Sequence, residues 1–180
     1  MQRLAKMPKV EVLVGLPGSG KSTRLSFVDD PEFGGDVFVY STDAYIEARA
    51  KEAGKSYDDV FGDHINEATK HMNNVLAIAI SAGIDVYWDQ TNMSSKKRKS
   101  ILSKFPKNYH KECWCVRVPQ TAEEWAELDR RLDSRPGKTI PHHIIEAMAD
   151  SYVEPELDEG FDKITIVDIF CNVIMEKKNA

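Results

Sequence analysis

Nine consecutive residues, Gly15-Leu-Pro-Gly-Ser-Gly-Lys-Ser-Thr23, have the types and spacing of a phosphate-binding loop. Gly15, Pro17, Gly18, Ser19 and Gly20 would form the cradle, in which glycines let successive backbone N–H groups turn inward around phosphate oxygens. Lys21 is expected to reach the β- and γ-phosphates, and Ser22, followed by Thr23, to ligate magnesium. The loop sits between an apolar run, Lys9–Val14, and a helical pattern starting at Lys21, so the helix aims its positive end at the phosphates. These residues point to ATP with Mg2+ as the ligand.

Three other groups could work beside that loop. Asp43 follows a short apolar strand in VFVYSTDAY. A carboxylate at a strand's carboxyl end faces the substrate crevice of an open α/β sheet and can take a hydroxyl proton. Ser41-Thr-Asp43 reads equally as a helix cap. Asp89 follows another strand and could support magnesium or the substrate, with Thr91 and Asn92 ordering the loop, or the segment is ordinary turn chemistry. Arg130, Arg131, Arg135 and Lys138 flank an Arg-Pro-Gly-Lys loop that could close over ATP, or could form a solvated helix face with Asp129 and Asp133. Lys96-Lys-Arg-Lys99 could bind nucleic-acid phosphates but reads first as a solvated helix.

Elements to position these groups alternate along the chain. Strands are expected at Lys9–Val14, Val37–Tyr40, Ile84–Trp88, Cys113–Val118 and Lys163–Val167, with a last one over Phe170–Met175. Helices are expected from Lys21 to about Val28, from Asp43 to Ala53, from about His64 to Ala82, and from Ser94 or Ser95 to Phe105. The capping box Thr121-x-x-Glu124 opens another to about Leu132, and Pro141 starts the last, to about Tyr152. This alternation predicts an α/β fold: three layers, a mainly parallel sheet with helices on both faces, and a helical lid over about residues 130–152. With 180 residues and no linker or repeat, one domain over residues 1–180 is expected.

The composition, 42% apolar and 29% charged, is that of a globular chain. No run approaches the roughly 20 apolar residues of a membrane span. The basic start leads straight into the first strand, so no targeting segment is read there. Net charge is −5, which argues against a broad basic face that coats a duplex, though not against a local grip on a strand end. Cys113 and Cys115 share a strand face and read as buried thiols; with only Cys171 besides, a reducing, cytoplasmic compartment is expected.

In combination these motifs resemble the phosphate-transferring domain of phage polynucleotide 5′-kinase and its relatives in nucleic-acid repair. The resemblance runs through the loop at Gly15–Thr23, Asp43-Ala-Tyr45, Asp89-Gln-Thr-Asn92, and the lid pattern Arg131-Leu-Asp-Ser-Arg135-Pro-Gly-Lys138-Thr-Ile-Pro141, over about residues 9 to 152. It implies a P-loop NTPase fold and an ATP-dependent kinase. Asp43 would be the general base, Arg135 a catalytic lid arginine on the phosphates with Arg131 close behind, and Asp43, Asp89, Thr91 and Asn92 would meet the substrate. Family members carry an arginine three residues after the base to hold the acceptor's phosphate; this chain has Ile46 there, and Arg49, one helical turn on, is the candidate replacement. The phage enzyme's phosphatase motif has no counterpart at Ile166–Phe170, so no phosphatase activity is expected. No role is read in Phe170–Ala180.

The expected acceptor is a hydroxyl of nucleic acid, DNA or RNA, most simply a 5′-OH end. One alternative is the hydroxymethyl group of a modified pyrimidine such as 5-hydroxymethyluracil in DNA, which resembling phage proteins phosphorylate. Others are a small-metabolite kinase, which the acidity suits, and an ATP-hydrolysing switch.

Overall fold

The computed structural model describes residues 7–26, 37–135 and 138–179. Strands β1 (Lys9–Val14), β2 (Val37–Tyr40), β3 (Asp85–Asp89), β4 (His110–Val116), β5 (Lys163–Val167) and β6 (Val173–Lys178) form one sheet in the order β2-β3-β1-β4-β5-β6. The first five are parallel and β6 runs antiparallel on β5. β1 lies between β3 and β4, with Val12 level with Trp88 on one side and Cys113 on the other. The chain reverses its direction of travel across the sheet at β1, so a crevice opens at that strand's carboxyl end.

Valine alternation in β1 builds the main core. Val10, Val12 and Val14 face Trp88, Cys113, Cys115, Ile164 and Ile166 on neighbouring strands. Over them lie α3 (Tyr57–Ala82), through Leu76 and Ala79, and α4 (Ser95–Leu102), through Ile101 and Leu102. On the opposite face Glu11 is 2% exposed and binds the Arg24 guanidinium at 2.8 and 3.1 Å. Arg24 belongs to α1 (Lys21–Arg24) and also lies over the Trp114 ring. Among the described residues α1 is thus the helix on that face, held by charge rather than by an apolar stripe. A second apolar cluster joins Leu16, Met93 and Ile169 to Leu128 of α5 (Ala122–Asp133) and Ile145 of α6 (His142–Asp150). It fastens both helices above the carboxyl ends of the strands.

Caps set the helix starts. The Ser41 hydroxyl accepts the Ala44 N–H and opens α2 (Thr42–Ala53), which Gly54 ends. Asp43 is therefore in the first turn rather than at the cap, and its carboxylate is left for other partners. α3 starts at Tyr57, seven residues before the expected His64, because Ser56 and Asp59 form a reciprocal capping box. The expected strand over Cys113–Val118 lies at His110–Val116, anchored at its start by the His110 N–H on the Pro8 carbonyl. The last strand lies at Val173–Lys178 because Asp168 turns the chain first, accepting the N–H groups of Phe170 and Asn172. The helix expected to run from Lys21 to about Val28 ends at Arg24, where the Leu25 N–H turns back onto the Ser22 and Thr23 carbonyls; Val28 and Pro136-Gly137 of the lid pattern lie outside the described residues.

Candidate active site

The phosphate loop leaves β1 at Gly15, whose N–H donates to the Thr91 carbonyl at 3.0 Å and so joins the loop to the segment after β3. Gly15 takes φ +149, and a Cβ there would stand 2.7 Å from Ser19 Oγ. Gly20 takes φ +100, and a Cβ there would stand 3.0 Å from an Arg131 guanidinium nitrogen. Both positions demand glycine, for backbone conformation and for space. Ser19 Oγ is buried beside Gly15 without a hydrogen-bond partner among the described residues. Lys21 Nζ donates to the carbonyls of Gly15 and Leu16 at 2.8 Å each. Burial pulls its ammonium down to about 8, against the opposing pull of Asp89 and Asp43. A buried ammonium at the mouth of a glycine loop is arranged to receive an anion.

The crevice beyond the loop measures about 490 Å3. Pro17, Gly18, Gly20, Lys21, Ser22 and Thr23 form one wall, and Asp43, Asp89 and Thr91 another. Ser22 and Thr23 are exposed to it. A hard cation there would find the Ser22 hydroxyl and phosphate oxygens as ligands, with the Asp89 carboxylate on the same crevice. Burial, reinforced by Asp43, holds the Asp89 carboxyl above its ordinary range, with Lys21 opposing.

Asp43 sits in a tight polar cluster. Tyr57 donates its phenol to Asp43 Oδ1 at 2.8 Å, and Lys138 Nζ donates to Oδ2 at 2.6 Å and to Glu47 Oε1 at 3.3 Å. The Lys138 ammonium also lies 3.9 Å from the centre of the Tyr57 ring. Partial burial pushes the Asp43 carboxyl up, but Lys138 and then Tyr57 outweigh it and hold it below the ordinary carboxylate range. The Thr139 N–H donates to Asp58 at 3.1 Å, so the segment after the lid loop is tied to the start of α3. Arg131 donates to the Ser19 carbonyl at 3.3 Å and is oriented by Glu127 at 2.6 Å; Arg135 lines the same crevice.

A second crevice, of about 560 Å3, opens on the other side of the same residues. Asp43, Asp89, Gln90 and Thr91 line both. Asp43 thus stands between two cavities, a phosphate crevice and a neighbour.

Other expected residues lie elsewhere. Asn92 is 2% exposed, in a left-handed conformation at φ 49, and its amide donates to the Leu13 carbonyl at 2.7 Å. It works as a tie between β1 and β3, although it also borders the second crevice. Arg49 donates to Tyr45, Glu52 and Glu67 on the outer side of α2 and α3 and lines neither crevice. Ile46 is fully buried. Within the basic run, Arg98 is fully buried: it is bidentate to Glu159 at 2.6 and 2.8 Å and donates to the Asn92 and Met93 carbonyls. A solvated helix face does not describe that residue.

The structure also brings in residues with no prior claim. Tyr57 and Glu47 reach the Asp43 cluster because α2 and α3 pack together; Ser56-x-x-Asp59 was the signal that starts α3 there. Ile169, Phe170 and Cys171 reach the phosphate crevice through the Asp168 turn. Cys171 is exposed at φ 67, whereas Cys113 and Cys115 are buried. No helix among the described residues is long and apolar enough to cross a membrane.

Solved structures share this architecture. The chain is similar, at TM-score 0.61 and 16% identity over 96% of its length and 72% of the other chain, to a structure from the PezAT chromosomal toxin–antitoxin system of Streptococcus pneumoniae. It is similar at TM-score 0.60 and 22% identity to a chain of the Pnkp1/Rnl/Hen1 RNA repair complex, with 83% of this chain covering 45% of that one. A gluconokinase from Sinorhizobium meliloti matches at TM-score 0.51 and 16% identity, over 91% of this chain and 84% of that one. The shared fold is the P-loop NTPase fold. A family model described as AAA domain matches residues 10–155, and by that match the chain belongs to the AAA domain family.

Proposed function

We propose that this protein is an ATP-dependent kinase that moves the γ-phosphoryl group to a hydroxyl of nucleic acid, most simply a polynucleotide 5′-OH end. The observation that carries the reading is the place of Asp43, an ionised carboxylate between the phosphate crevice and a second cavity large enough for an acceptor. A hydroxyl in the second cavity would give its proton to Asp43 as its oxygen forms the new bond to phosphorus. The bond from phosphorus to the β,γ-bridging oxygen breaks, and ADP leaves. Lys21, Arg131 and Arg135 face the charge that develops on the transferred group, where a positioned cation contributes most. Magnesium, held through Ser22, would neutralise the β- and γ-phosphate oxygens.

For the acceptor, the support is the motif resemblance and the fold shared with a chain of an RNA repair complex. One observation favours a second acceptor within the same chemistry. Ile46 is buried and Arg49 is occupied by carboxylates, so no arginine from α2 reaches a strand-end phosphate. The hydroxymethyl group of a modified pyrimidine in DNA would not need that arginine.

The test is transfer from γ-labelled ATP with magnesium to a panel: 5′-OH DNA and RNA oligonucleotides, 5′-blocked DNA containing hydroxymethyl-pyrimidine, free nucleosides and gluconate. Label on the 5′-OH oligonucleotides supports end kinase activity, and label on the blocked modified DNA alone moves the acceptor to the base. Label on gluconate alone gives a small-metabolite kinase. ATP consumed with no labelled acceptor gives a hydrolysing switch and overturns the kinase reading.

A further inference from the structure

The second crevice has two unlike walls. Phe61 and Ile65 of α3, Met93 after β3 and Met148 of α6 make an apolar side. Phe61 is 40% exposed, a large ring left facing solvent at the cavity's edge. The other side is the start of α4, with the capping Ser94 and Lys97.

That helix start carries an electrostatic anomaly. Its first turn holds Lys96 and Lys97 and no acidic residue. A helix's amino end already bears partial positive charge, so ammonium groups there are placed against the dipole. Among the described residues neither lysine has a carboxylate within ion-pairing distance, whereas Arg98, next in sequence, is fully neutralised by Glu159. The excess positive charge at Lys97 borders a cavity, and the sequence offers it no internal partner among the described residues. An anion lying in the crevice beside Lys97 would supply one. It would also lie away from Asp43 and Asp89, which repel it at the opposite end.

We propose that the second crevice takes a nucleotide unit: a flat apolar ring against Phe61, Ile65, Met93 and Met148, and a phosphate ester beside Lys97. This rests on the kinase reading only in naming the cavity the acceptor site. A sugar acid fits poorly, because four apolar side chains would strip water from its hydroxyls without replacing the hydrogen bonds. A nucleobase loses little there and gains stacking and dispersion on Phe61 and the two thioethers. The same wall serves a terminal nucleotide of a strand and a free mononucleotide.

Binding decides the matter without catalysis. The phosphate crevice of the wild-type protein is filled with a non-hydrolysable ATP analogue and magnesium. Calorimetry then measures the affinity of a nucleoside 3′-monophosphate with a free 5′-OH, the matching nucleoside, a short 5′-OH oligonucleotide, gluconate and inorganic phosphate. The nucleoside monophosphate is expected to bind at least about tenfold more tightly than nucleoside, gluconate or phosphate alone. Lys97→Ala should erase the advantage over the nucleoside, and Phe61→Ala should weaken nucleoside and nucleotide alike by about tenfold. Both side chains are exposed, so neither change threatens the fold. A gluconate or phosphate affinity equal to that of the nucleotide overturns the proposal, as do variants that bind like wild type. An oligonucleotide that binds more tightly than the mononucleotide identifies a strand end as the source; equal affinities identify the free nucleotide. This binding pattern without any phosphoryl transfer would remove the kinase reading and leave the proposed site standing.

Discussion

Nucleotide binding should take up protons from solvent, and the Lys21 amine should be the group that receives them. Burial holds its ammonium at about 8 against an ordinary 10.5. The difference of about 2.5 units corresponds to about 3 kcal/mol of unfavourable environment for the charged form. Because the folded value lies below the unfolded one, the unfolded chain binds more protons between pH 8 and 10.5. The empty fold therefore gains stability as pH rises through that window. Phosphate oxygens arriving at Lys21 reverse the balance and favour the ammonium. Half of the empty molecules lack that proton at pH 8, so binding should take up about 0.5 proton per nucleotide there, about 0.1 at pH 7 and about 0.9 at pH 9. Above pH 8 affinity should fall about tenfold per pH unit. Calorimetry in buffers of differing ionisation enthalpy reads the uptake directly. The Lys21→Met variant should bind weakly and with no uptake above pH 8. Zero uptake in the wild type at pH 8, or the same uptake in the variant, would refute the reasoning.

Three further outcomes follow from named contacts. Tyr57→Phe keeps the ring beneath Lys138 but removes the hydrogen bond that lowers the Asp43 carboxyl, so the acid limb of the transfer rate should move to higher pH while ATP affinity holds; an unmoved limb separates Tyr57 from the base. Glu159→Ala strands the buried Arg98 guanidinium and should cost about 3–5 kcal/mol in urea unfolding, with part recovered by adding Arg98→Met; a loss under about 1 kcal/mol would show that the pair contributes little. Gly20→Ala places a Cβ against Arg131 at a positive φ and should cost about 1–3 kcal/mol of stability together with nucleotide affinity, measured by unfolding and by titration.

What the sequence displayed and what it hid divide along a physical line. The phosphate loop was legible because its constraints are local: glycines for backbone angles, a lysine and a hydroxyl at fixed offsets. The parallel strands were legible because both faces of β1 and β5 are buried and each reads as a short, mainly β-branched apolar run, broken only by Glu11 and Thr165 after the first lysine. Local signals also misled. Arg98 lies in a row of four basic residues, but one helical face turns it inward onto Glu159, 61 positions away. Asn92 orders the loop after β3, as its residue type suggests, but through the Leu13 carbonyl, 79 positions away, while still bordering the second crevice. Nothing near either residue announces the distant partner. Tyr57 meets Asp43 through helix packing and the Ile169–Cys171 turn reaches a crevice through a strand exit; the Ser56-x-x-Asp59 box marks where α3 starts but not what Tyr57 touches.

The Asp43–Lys138 pair gives the two crevices a shared constraint. Lys138 Nζ is 8% exposed and committed to two carboxylates, Asp43 and Glu47. While Asp43 keeps that ion pair, one of its oxygens receives the Lys138 ammonium and the other the Tyr57 phenol, each with a lone pair left for a further donor. Both contacts favour the ionised carboxylate and so weaken it as a base, and a shift of Lys138 toward bound phosphate would strengthen it. A phosphate bound in the crevice would supply the charge to draw Lys138 away, since it lines that crevice with Lys21 and Arg135. Glu47 can retain the ammonium only at the exposed end of the cluster, 3.3 Å away against 2.6 Å to Asp43. A triphosphate offers more negative charge than the pair it competes with. On the proposed kinase reading, a filled phosphate crevice would loosen the pair and strengthen Asp43 as a base, which would favour nucleotide first and hydroxyl second.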